Sequence, residues 1–346
     1  MDRRMQDLSA LSRQIALPEV GEAGQARLAA AHVLVVGAGG LGCPVLTYLA
    51  TAGVGRITLM DPDRVELTNL HRQPLYTPRD VGATKVAAAG LRLRAQTPGL
   101  QLIPRATALG ASNAGRAVAE VDIVVDAADS FAVSYILSDA CLAAGKLLVS
   151  ASALATAGYV GGFCGGAPSL RAVFPDLPEQ AATCASAGVL GPLVGMIGAA
   201  QAQMVLQHLL GTTPPVAGQM LSFDMGRLQV AGFRFDTARE PETALRFVAL
   251  GDSEALVVDL RGTTEAPQQA TPRAVRLSLD TLAGAGSASD LSRVLARHLA
   301  PGVSPELSRE RPLILTCSSG LRAWRAARLA QGLGYRDLAL HAVSAP

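Results

Sequence analysis

A glycine-rich turn between two apolar segments constrains the fold of this chain most. Residues 31–37 form a short apolar run that ends in glycine, which is typical of a strand buried on both faces of a parallel sheet. The sequence at 37–42 is GAGGLG. Glycines at this spacing allow a tight turn, close approach of the backbone to a phosphate and close packing of a helix on a strand. The pattern predicts a strand, a phosphate-binding loop and a helix over 42–52.

Short apolar strands and helical segments continue to alternate along the chain. We predict strands over 55–61, 121–126 and 146–150, and helices over 85–96 and 131–144. Strands that alternate with helices form doubly wound sheets. The predicted fold class is therefore α/β, with a Rossmann-like and mostly parallel sheet.

A second, smaller unit is expected near the C-terminus. The hydrophobic pattern lapses from Arg234 to Glu242, and strands are predicted over 255–259 and 312–316, with a helix over 321–332. About a hundred residues are enough for a small α/β domain. The predicted organisation is an ATP-binding domain over 11–234, a linker over 235–243 and a second domain over 244–346.

Charge and composition exclude several classes of protein. The net charge is +2, from 30 basic and 28 acidic residues spread along the chain, so we expect no nucleic-acid partner. The apolar run at 188–200 is shorter than the ~20 residues of a membrane span, so 188–211 is predicted to be a helix in the core or at a subunit interface, with no membrane partner. The charged N-terminus lacks the apolar core of a signal peptide, which predicts a cytoplasmic protein.

The segment at 61–73, DPDRVELTNLHRQ, indicates which nucleotide is bound. Asp61 ends a predicted strand and can accept hydrogen bonds from a ribose of either NAD or ATP. Arg72 offers a bidentate fork and Lys85 a mobile point charge, which suits a triphosphate. Asp129, after the predicted strand 121–126, can hold Mg²⁺ at the carboxyl edge of the sheet. The alternatives are solvated surface charges for Arg72 and Lys85, a helix cap for Asp129, and a nicotinamide-dependent oxidoreductase.

These motifs together resemble the ThiF/MoeB/HesA family over roughly 11–234. The resemblance includes the 37–42 loop, the 61–73 segment, an Asp-Ala-x-Asp motif ending at Asp129, and GVLGPLVG at 188–195. It implies ATP-dependent adenylation of the C-terminal Gly-Gly of a ubiquitin-like sulfur carrier protein. It also implies a homodimer in which Arg13 reaches into the ATP site of the partner.

The resemblance carries over to individual site residues. The implied catalytic set in the first domain is Arg13, Arg72, Lys85 and Asp129, with Asp129 also binding Mg²⁺. The implied nucleotide-binding set is Gly37, Gly39, Gly40, Gly42, Asp61, Asp63, Asn69 and Gln73. The implied cofactors are ATP and Mg²⁺.

Two features depart from the family pattern. Family members usually carry two CxxC pairs that bind structural zinc, whereas this chain has SLRA at 169–172 and EPET at 240–243. Because the thiolates are missing, we predict no structural zinc, with local packing in its place. The arginine of the usual Asp-Asn-Phe-x-x-Arg motif is replaced by Ser134.

Two of the five cysteines are candidates for sulfur chemistry. Cys184 lies in a loop predicted over 176–187, where its thiolate can attack an acyl-adenylate or resolve an acyl disulfide. Cys317 and Arg322 are the first and last residues of a loop between a strand and a helix. In such a loop, backbone N–H groups and the helix N-terminus favour a thiolate or persulfide. This loop resembles that of rhodanese domains. The alternatives are an incidental residue for Cys184 and a degenerate domain with an inert Cys317, and the other three cysteines are expected in the core.

We therefore predict an adenylyltransferase of a ubiquitin-like sulfur carrier fused to a rhodanese-like sulfurtransferase. The expected partners are the carrier protein and a sulfur donor such as a cysteine desulfurase. The alternative is a non-catalytic or adenylation-only carrier-binding protein with a degenerate rhodanese domain. The identity of the carrier and its pathway stay open at this point.

Overall fold

The computed structural model describes residues 9–177, 188–251, 255–297 and 312–343. Two sheets organise these residues, one of eight strands and one of five. Cys184, which the sequence singled out, lies outside the described residues.

The first sheet has the strand order β3-β2-β1-β4-β5-β6-β7-β8. The strands from β3 to β5 run parallel, and β6, β7 and β8 extend the sheet in antiparallel fashion. In chain order they are β1 (His32–Val36), β2 (Arg56–Met60), β3 (Gln101–Arg105), β4 (Ile123–Asp126), β5 (Leu147–Leu154), β6 (Ala157–Cys164), β7 (Gln219–Asp224) and β8 (Gln229–Arg234).

Helices cover both faces of this sheet. Along β1, Val33 and Val35 pack into one apolar cluster and Leu34 and Val36 into another, as expected of a strand buried on both faces. The helices are α1 (Ser12–Ile15), α2 (Gly21–Ala30), α3 (Gly42–Thr51), α4 (Lys85–Gln96), α5 (Ala114–Ala119), α6 (Phe131–Ala144), α7 (Leu170–Val173) and α8 (Gly191–Leu210). The first cluster includes residues of α3, α4 and α8, and the second includes residues of α5 and α6.

The carboxyl ends of three strands meet at one edge of the sheet. Val36 of β1 pairs with Met60 of β2 on one side and with Asp126 of β4 on the other. The chain crosses from β1 to β2 in one direction and reaches β4 in the other, so this edge is a topological switch point. Ligands of doubly wound folds bind at such points.

The second sheet is parallel throughout, with the order β11-β10-β12-β13-β9. Its strands are β9 (Arg246–Phe247), β10 (Leu256–Asp259), β11 (Val275–Arg276), β12 (Leu313–Cys317) and β13 (Leu338–Ala342). The helices are α9 (Leu279–Ala283), α10 (Ala288–Arg297) and α11 (Leu321–Gly332). This architecture is consistent with the expected rhodanese-like domain.

Among the described residues, one helix, α8, reaches the length and apolar composition of a membrane span. One face of α8 is buried, including Ile197 and Val205, and it packs against α3 and β5. A Cβ on Gly198 would lie 2.5 Å from the Leu41 carbonyl oxygen, so glycine allows this close approach to the start of α3. The helix predicted over 188–211 is therefore present, and it belongs to the first domain.

Candidate active site

The glycine loop after β1 combines tight packing with one open position. Gly37 has φ +100°, and a Cβ there would lie 2.5 Å from the Ala127 carbonyl oxygen. A Cβ on Gly42 would collide with the Gly37 carbonyl oxygen. At Gly39 the nearest atom to a Cβ would be Nε2 of Gln73, at 3.7 Å. The loop is closed against the sheet at its ends and leaves room for a ligand in its middle.

Asp61 joins this loop to the segment that follows β2. Its side chain is buried, with one oxygen accepting from the Ala38 N–H at 2.7 Å and the other from the Asp63 N–H at 2.8 Å. Burial raises the pKa of Asp61, although Lys85 and these two N–H groups act to lower it. Since each carboxylate oxygen has a second lone pair, the carboxylate can still accept ribose hydroxyl groups.

Lys85 is the first residue of α4, and its Nζ lies 2.8 Å from Oδ2 of Asp63. The side chain of Lys85 is 8% exposed, whereas that of Asp63 is 62% exposed. Lys85 also acts electrostatically on Asp61. The ammonium group is therefore paired with Asp63 and acts electrostatically on Asp61, the residue that binds the glycine loop.

The turn over 67–73 carries the other predicted residues and brings Arg72 and Gln73 next to the loop. The Asn69 carbonyl oxygen accepts from the N–H groups of Arg72 and Gln73, both at 3.1 Å. Nη1 of Arg72 donates to the Thr68 carbonyl at 3.2 Å. Gln73 is buried, and within the described part of the chain its Oε1 has no hydrogen-bond partner. The side-chain amide of Gln73 thus has hydrogen-bonding capacity left for a ligand.

The first turn of α8 supports both the turn and the loop. A Cβ on Gly191 would lie 2.7 Å from the His71 carbonyl oxygen. A Cβ on Gly40 would lie 2.6 Å from Cγ1 of Val194. The GVLGPLVG segment, which the sequence assigned to the family pattern, therefore packs directly beneath the predicted phosphate site.

The two aspartates after β4 have different environments. Asp126 is fully buried and accepts from the Ser150 hydroxyl at 2.8 Å and the Ala128 N–H at 3.2 Å. Burial raises the pKa of Asp126 to about 6, against the opposing effect of its hydrogen bonds. Asp129 is exposed at the carboxyl edge of the sheet. The described residues contain no group of three or more His, Cys, Asp or Glu side chains that could hold a metal ion.

The structure does not bring Arg13 to the glycine loop of its own chain. Arg13 is exposed on α1, and the neighbouring Gln14 donates to the Ala52 carbonyl at 3.0 Å. Ala52 follows the last residue of α3, whose first residue, Gly42, belongs to the loop. A helix of 10 residues is about 15 Å long, so α1 lies at the opposite end of α3 from the site.

Two residues of the site had not been predicted. The Tyr76 hydroxyl donates to the Ala38 carbonyl at 2.7 Å, so it holds the same loop residue whose N–H group donates to Asp61. Gln201, buried on α8, donates from Nε2 to the carbonyls of Asp126 at 2.7 Å and Val149 at 3.1 Å. A glutamine within an apolar helix is a signal that sequence reasoning could have used, whereas Tyr76 belongs to no motif.

The second candidate site is the loop that follows β12. Cys317 is fully buried, and its Sγ accepts from the N–H groups of Gly320 at 3.2 Å and Ala323 at 3.4 Å. The N-terminus of α11 points at the same sulfur, so the loop can stabilise a negative sulfur atom. Arg322 donates from Nη1 to the Leu260 carbonyl at 3.0 Å and contacts Glu265 through Nη2. The predicted Cys317 and Arg322 are thus brought together.

The cysteine loop lies against the first domain. A Cβ on Gly320 would lie 2.6 Å from the Phe247 ring and 3.4 Å from Cβ of Ala132. Ala132 is the second residue of α6, three residues after Asp129. The two candidate sites are therefore neighbours across the N-terminus of α6.

Comparison with known proteins identifies the first domain. Residues 11–244 match the model of the ThiF family. The chain is 46% identical over 222 residues to the Bos taurus protein named adenylyltransferase and sulfurtransferase MOCS3, covering 63% of this chain and 49% of that protein. It is 42% identical over 227 residues to a Thermus thermophilus protein named sulfur carrier protein adenylyltransferase, covering 63% of this chain and 84% of that one.

Solved structures share the fold at lower identity. One structure of Escherichia coli MccB has a TM-score of 0.59 and 20% identity, covering 66% of this chain and 72% of that chain. PaaA has a TM-score of 0.57 and 20% identity, with 66% and 73% covered. The chain spans about half the length of the MOCS3 relatives that it matches. The family match extends over more than half of the chain and agrees with the arrangement of the loop, Asp61 and Lys85. The chain therefore belongs to the ThiF family.

Proposed function

We propose that this protein adenylates the C-terminal carboxylate of a ubiquitin-like sulfur carrier protein and then transfers sulfur to it. The observation that carries this proposal is the joining of the glycine loop, Asp61 and the Lys85–Asp63 pair at one edge of the sheet. A hydride-transferring enzyme has no need for a buried lysine at that position. The names of the relatives in Bos taurus and Thermus thermophilus support the same reading.

Each predicted residue has a role that its environment allows. The N–H groups of Gly39 and Gly40 would donate hydrogen bonds to the phosphates, and the N-terminus of α3 would attract their negative charge. Asp61 would accept the ribose hydroxyl groups. The remaining predicted contacts, from Asp63, Asn69, Arg72, Gln73 and Lys85, would surround the triphosphate, with Asp63 holding Lys85 in place.

Asp129 is the residue proposed to bind Mg²⁺. A magnesium ion is commonly held by one or two carboxylates together with substrate phosphates and water. Asp129 is exposed at the carboxyl edge and suits this role, whereas the side chain of Asp126 is fully buried. When bound, the ion would neutralise part of the triphosphate charge.

The adenylation step needs little proton transfer. A carboxylate oxygen of the carrier attacks the α-phosphorus of ATP, a new P–O bond forms, and pyrophosphate leaves with the electrons of the broken bond. The attacking carboxylate is ionised at neutral pH, so no strong base is required. Arg72 and Lys85 would act by positioning the phosphates and neutralising charge that develops on them.

The sulfur step is proposed to use both thiols. A persulfide on Cys317 attacks the acyl carbon, AMP leaves, and an acyl disulfide results. The Cys184 thiolate then attacks the Cys317 sulfur, which releases the carrier thiocarboxylate and leaves a Cys184–Cys317 disulfide for a cellular thiol to reduce. The persulfide would accept hydrogen bonds from the N–H groups of Gly320 and Ala323, beside Arg322.

The remaining parts of the proposal concern organisation. We place the adenylation domain at 11–234, the linker at 235–243 and the rhodanese-like domain at 244–346. A homodimer would allow Arg13, which lies far from its own loop, to reach the ATP site of a partner. The sulfur donor is proposed to be a cysteine desulfurase or a similar persulfide protein, and the compartment the cytoplasm.

A second candidate is an adenylation-only protein with a degenerate second domain. The observation that favours it is the complete burial of the Cys317 side chain. In this case the carrier acyl-adenylate would form as above, and another protein would supply the sulfur. The two candidates differ only in what Cys317 does.

The experiment is carrier-dependent ATP–pyrophosphate exchange, followed by mass spectrometry of the carrier. A panel of purified ubiquitin-like carriers ending in Gly-Gly is tested with and without a persulfide donor. Exchange with at least one carrier is expected, and its absence with all of them would refute adenylation. Loss of thiocarboxylate with retained exchange in Cys317→Ser supports the first candidate, whereas unchanged thiocarboxylate formation supports the second.

A further inference from the structure

Two guanidinium groups interact electrostatically with Cys317, and both are paired with carboxylates. They belong to Arg261 and Arg322. Arg261 donates from Nε at 2.9 Å and from Nη2 at 2.8 Å to the buried Asp259. Arg322 contacts Glu265. Neither cation is therefore left to bind an anion on its own.

Glu265 lies on the solvent-exposed side of the cysteine loop. Its Oε1 accepts from the Ser318 hydroxyl at 2.7 Å and also contacts Nη2 of Arg322. These two hydrogen bonds lower the pKa of Glu265, so its carboxylate is ionised at neutral pH. The side chains of Glu265 and Arg322 are each about one-third exposed. A negative charge thus faces solvent where a sulfur donor would approach.

The pairing changes which donors the loop can accept. A free arginine beside the thiol would attract a small dianionic donor and stabilise its leaving group. The Glu265 carboxylate cancels that charge and repels an incoming anion, and the repulsion grows with the charge of the donor. A sulfane sulfur carried on a thiol of low local charge experiences little of this repulsion.

We propose that Glu265 is a specificity-determining residue that selects against multiply charged anionic sulfur donors and favours a persulfide carried by a protein thiol. This inference rests on the proposed role of Cys317 as a sulfur acceptor. Glu265 is not part of the cysteine loop motif. It lies in the segment between β10 and β11, and the fold places it beside the loop.

Two small donors of different charge separate this effect from others. Thiosulfate is a dianion and methanethiosulfonate a monoanion. In both cases the Cys317 thiolate attacks the outer sulfur, a Cys317 persulfide forms, and sulfite or methanesulfinate leaves with the electron pair of the broken S–S bond. Cyanide then removes the sulfur as thiocyanate and regenerates the thiolate, so atoms and charge balance.

The test measures kcat/KM for both donors in the full chain and in Glu265→Gln. We expect about a ten-fold increase for thiosulfate and about a three-fold increase for methanethiosulfonate, because the repulsion scales with donor charge. Both increases should shrink in high salt. The matched control is Glu242→Gln, which removes an exposed carboxylate outside the loop and should change neither value by more than two-fold.

Equal increases for both donors would mean that the substitution only loosens the loop, and this would overturn the proposal. No increase for either donor would overturn it as well. Sulfur transfer that survives Cys317→Ser would instead refute the role of Cys317. If no donor loads any variant, alkylation of Cys317 by iodoacetate relative to iodoacetamide is measured by mass spectrometry, and an unchanged ratio in Glu265→Gln overturns the charge effect.

Discussion

The carboxylate of Glu240 accepts hydrogen bonds from the backbone N–H of Ser169 at 2.7 Å and from its hydroxyl at 2.6 Å. These residues begin the two segments in which family members usually carry their zinc-binding CxxC pairs. Arg171, in the first segment, forms a fork with Asp139 of α6 and lies 4.7 Å above the Tyr135 ring. A carboxylate clamp and an arginine fork thus connect the segments to each other and to α6.

Because this clamp joins the two segments, we predict that the stability of the first domain does not depend on zinc. Glu240→Ala should lower the free energy of unfolding of the first domain by about 1–3 kcal/mol, because hydrogen bonds to a charged group are lost and Ser169 is buried. Glu242→Ala, at an exposed position in the same segment, is the control. Chemical denaturation with and without EDTA measures both effects, and a large loss of stability in EDTA would contradict the prediction that the fold contains no structural zinc.

Two glycines of the phosphate loop should respond differently to alanine. Gly37→Ala should destabilise the first domain, because φ is +100° and the added Cβ would meet the Ala127 carbonyl at 2.5 Å. Gly39→Ala should leave stability nearly unchanged and weaken ATP binding, since its Cβ would enter the open part of the loop. Thermal unfolding and ATP titration distinguish the two. Equal destabilisation of both variants would argue against an open position at Gly39.

Removal of the Lys85 charge should affect catalysis more than folding. Lys85→Met should reduce ATP–pyrophosphate exchange by about 10²–10³-fold, as expected for loss of a group that neutralises charge in a transition state. Arg92→Gln removes a cation from the exposed side of the same helix α4 and serves as the control. Exchange in Lys85→Met at the level of the control would exclude Lys85 from the active site.

The burial of Asp126 should make the difference in stability between the natural protein and Asp126→Asn depend on pH. Burial raises its pKa to about 6 in the folded protein, whereas the same group in an unfolded chain has a pKa of about 4. The protonated form therefore stabilises the fold fully below about pH 4, and this contribution is lost as the pH rises through about 6. Asn resembles the protonated acid, so Asp126→Asn should gain up to about 3 kcal/mol relative to the natural protein between pH 4 and pH 7.

Urea denaturation of both proteins at several pH values measures this difference. The other carboxyl groups titrate equally in the two proteins, so their contributions cancel. A stability difference that is constant from pH 4 to pH 7 would show that Asp126 ionises normally.

Local sequence patterns predicted the central elements closely. The helices expected over 85–96, 131–144 and 321–332 have these bounds in the structure. Six of the parallel strands were predicted from short apolar runs, and their ends lie within two residues of the prediction except in β5, which continues to Leu154. The parallel strands β3, β9, β11 and β13 were not predicted. The antiparallel strands β6, β7 and β8 were not predicted. β6 is rich in glycine and β8 is exposed along its whole length, so neither has a clear apolar pattern, and the pairing of β6 with β7 joins segments far apart along the chain.

The sequence by itself determined the glycine loop, Asp61, Lys85 and the cysteine loop, because these depend on residue type and short spacing. Only the tertiary structure decided that Tyr76 fixes the loop, that Asp126 is buried while Asp129 is exposed, and that Arg13 lies at the far end of α3. Likewise, only the fold brought Glu265 to Arg322. Such contacts join residues far apart along the chain, and their energies depend on burial and distance, which local patterns do not encode.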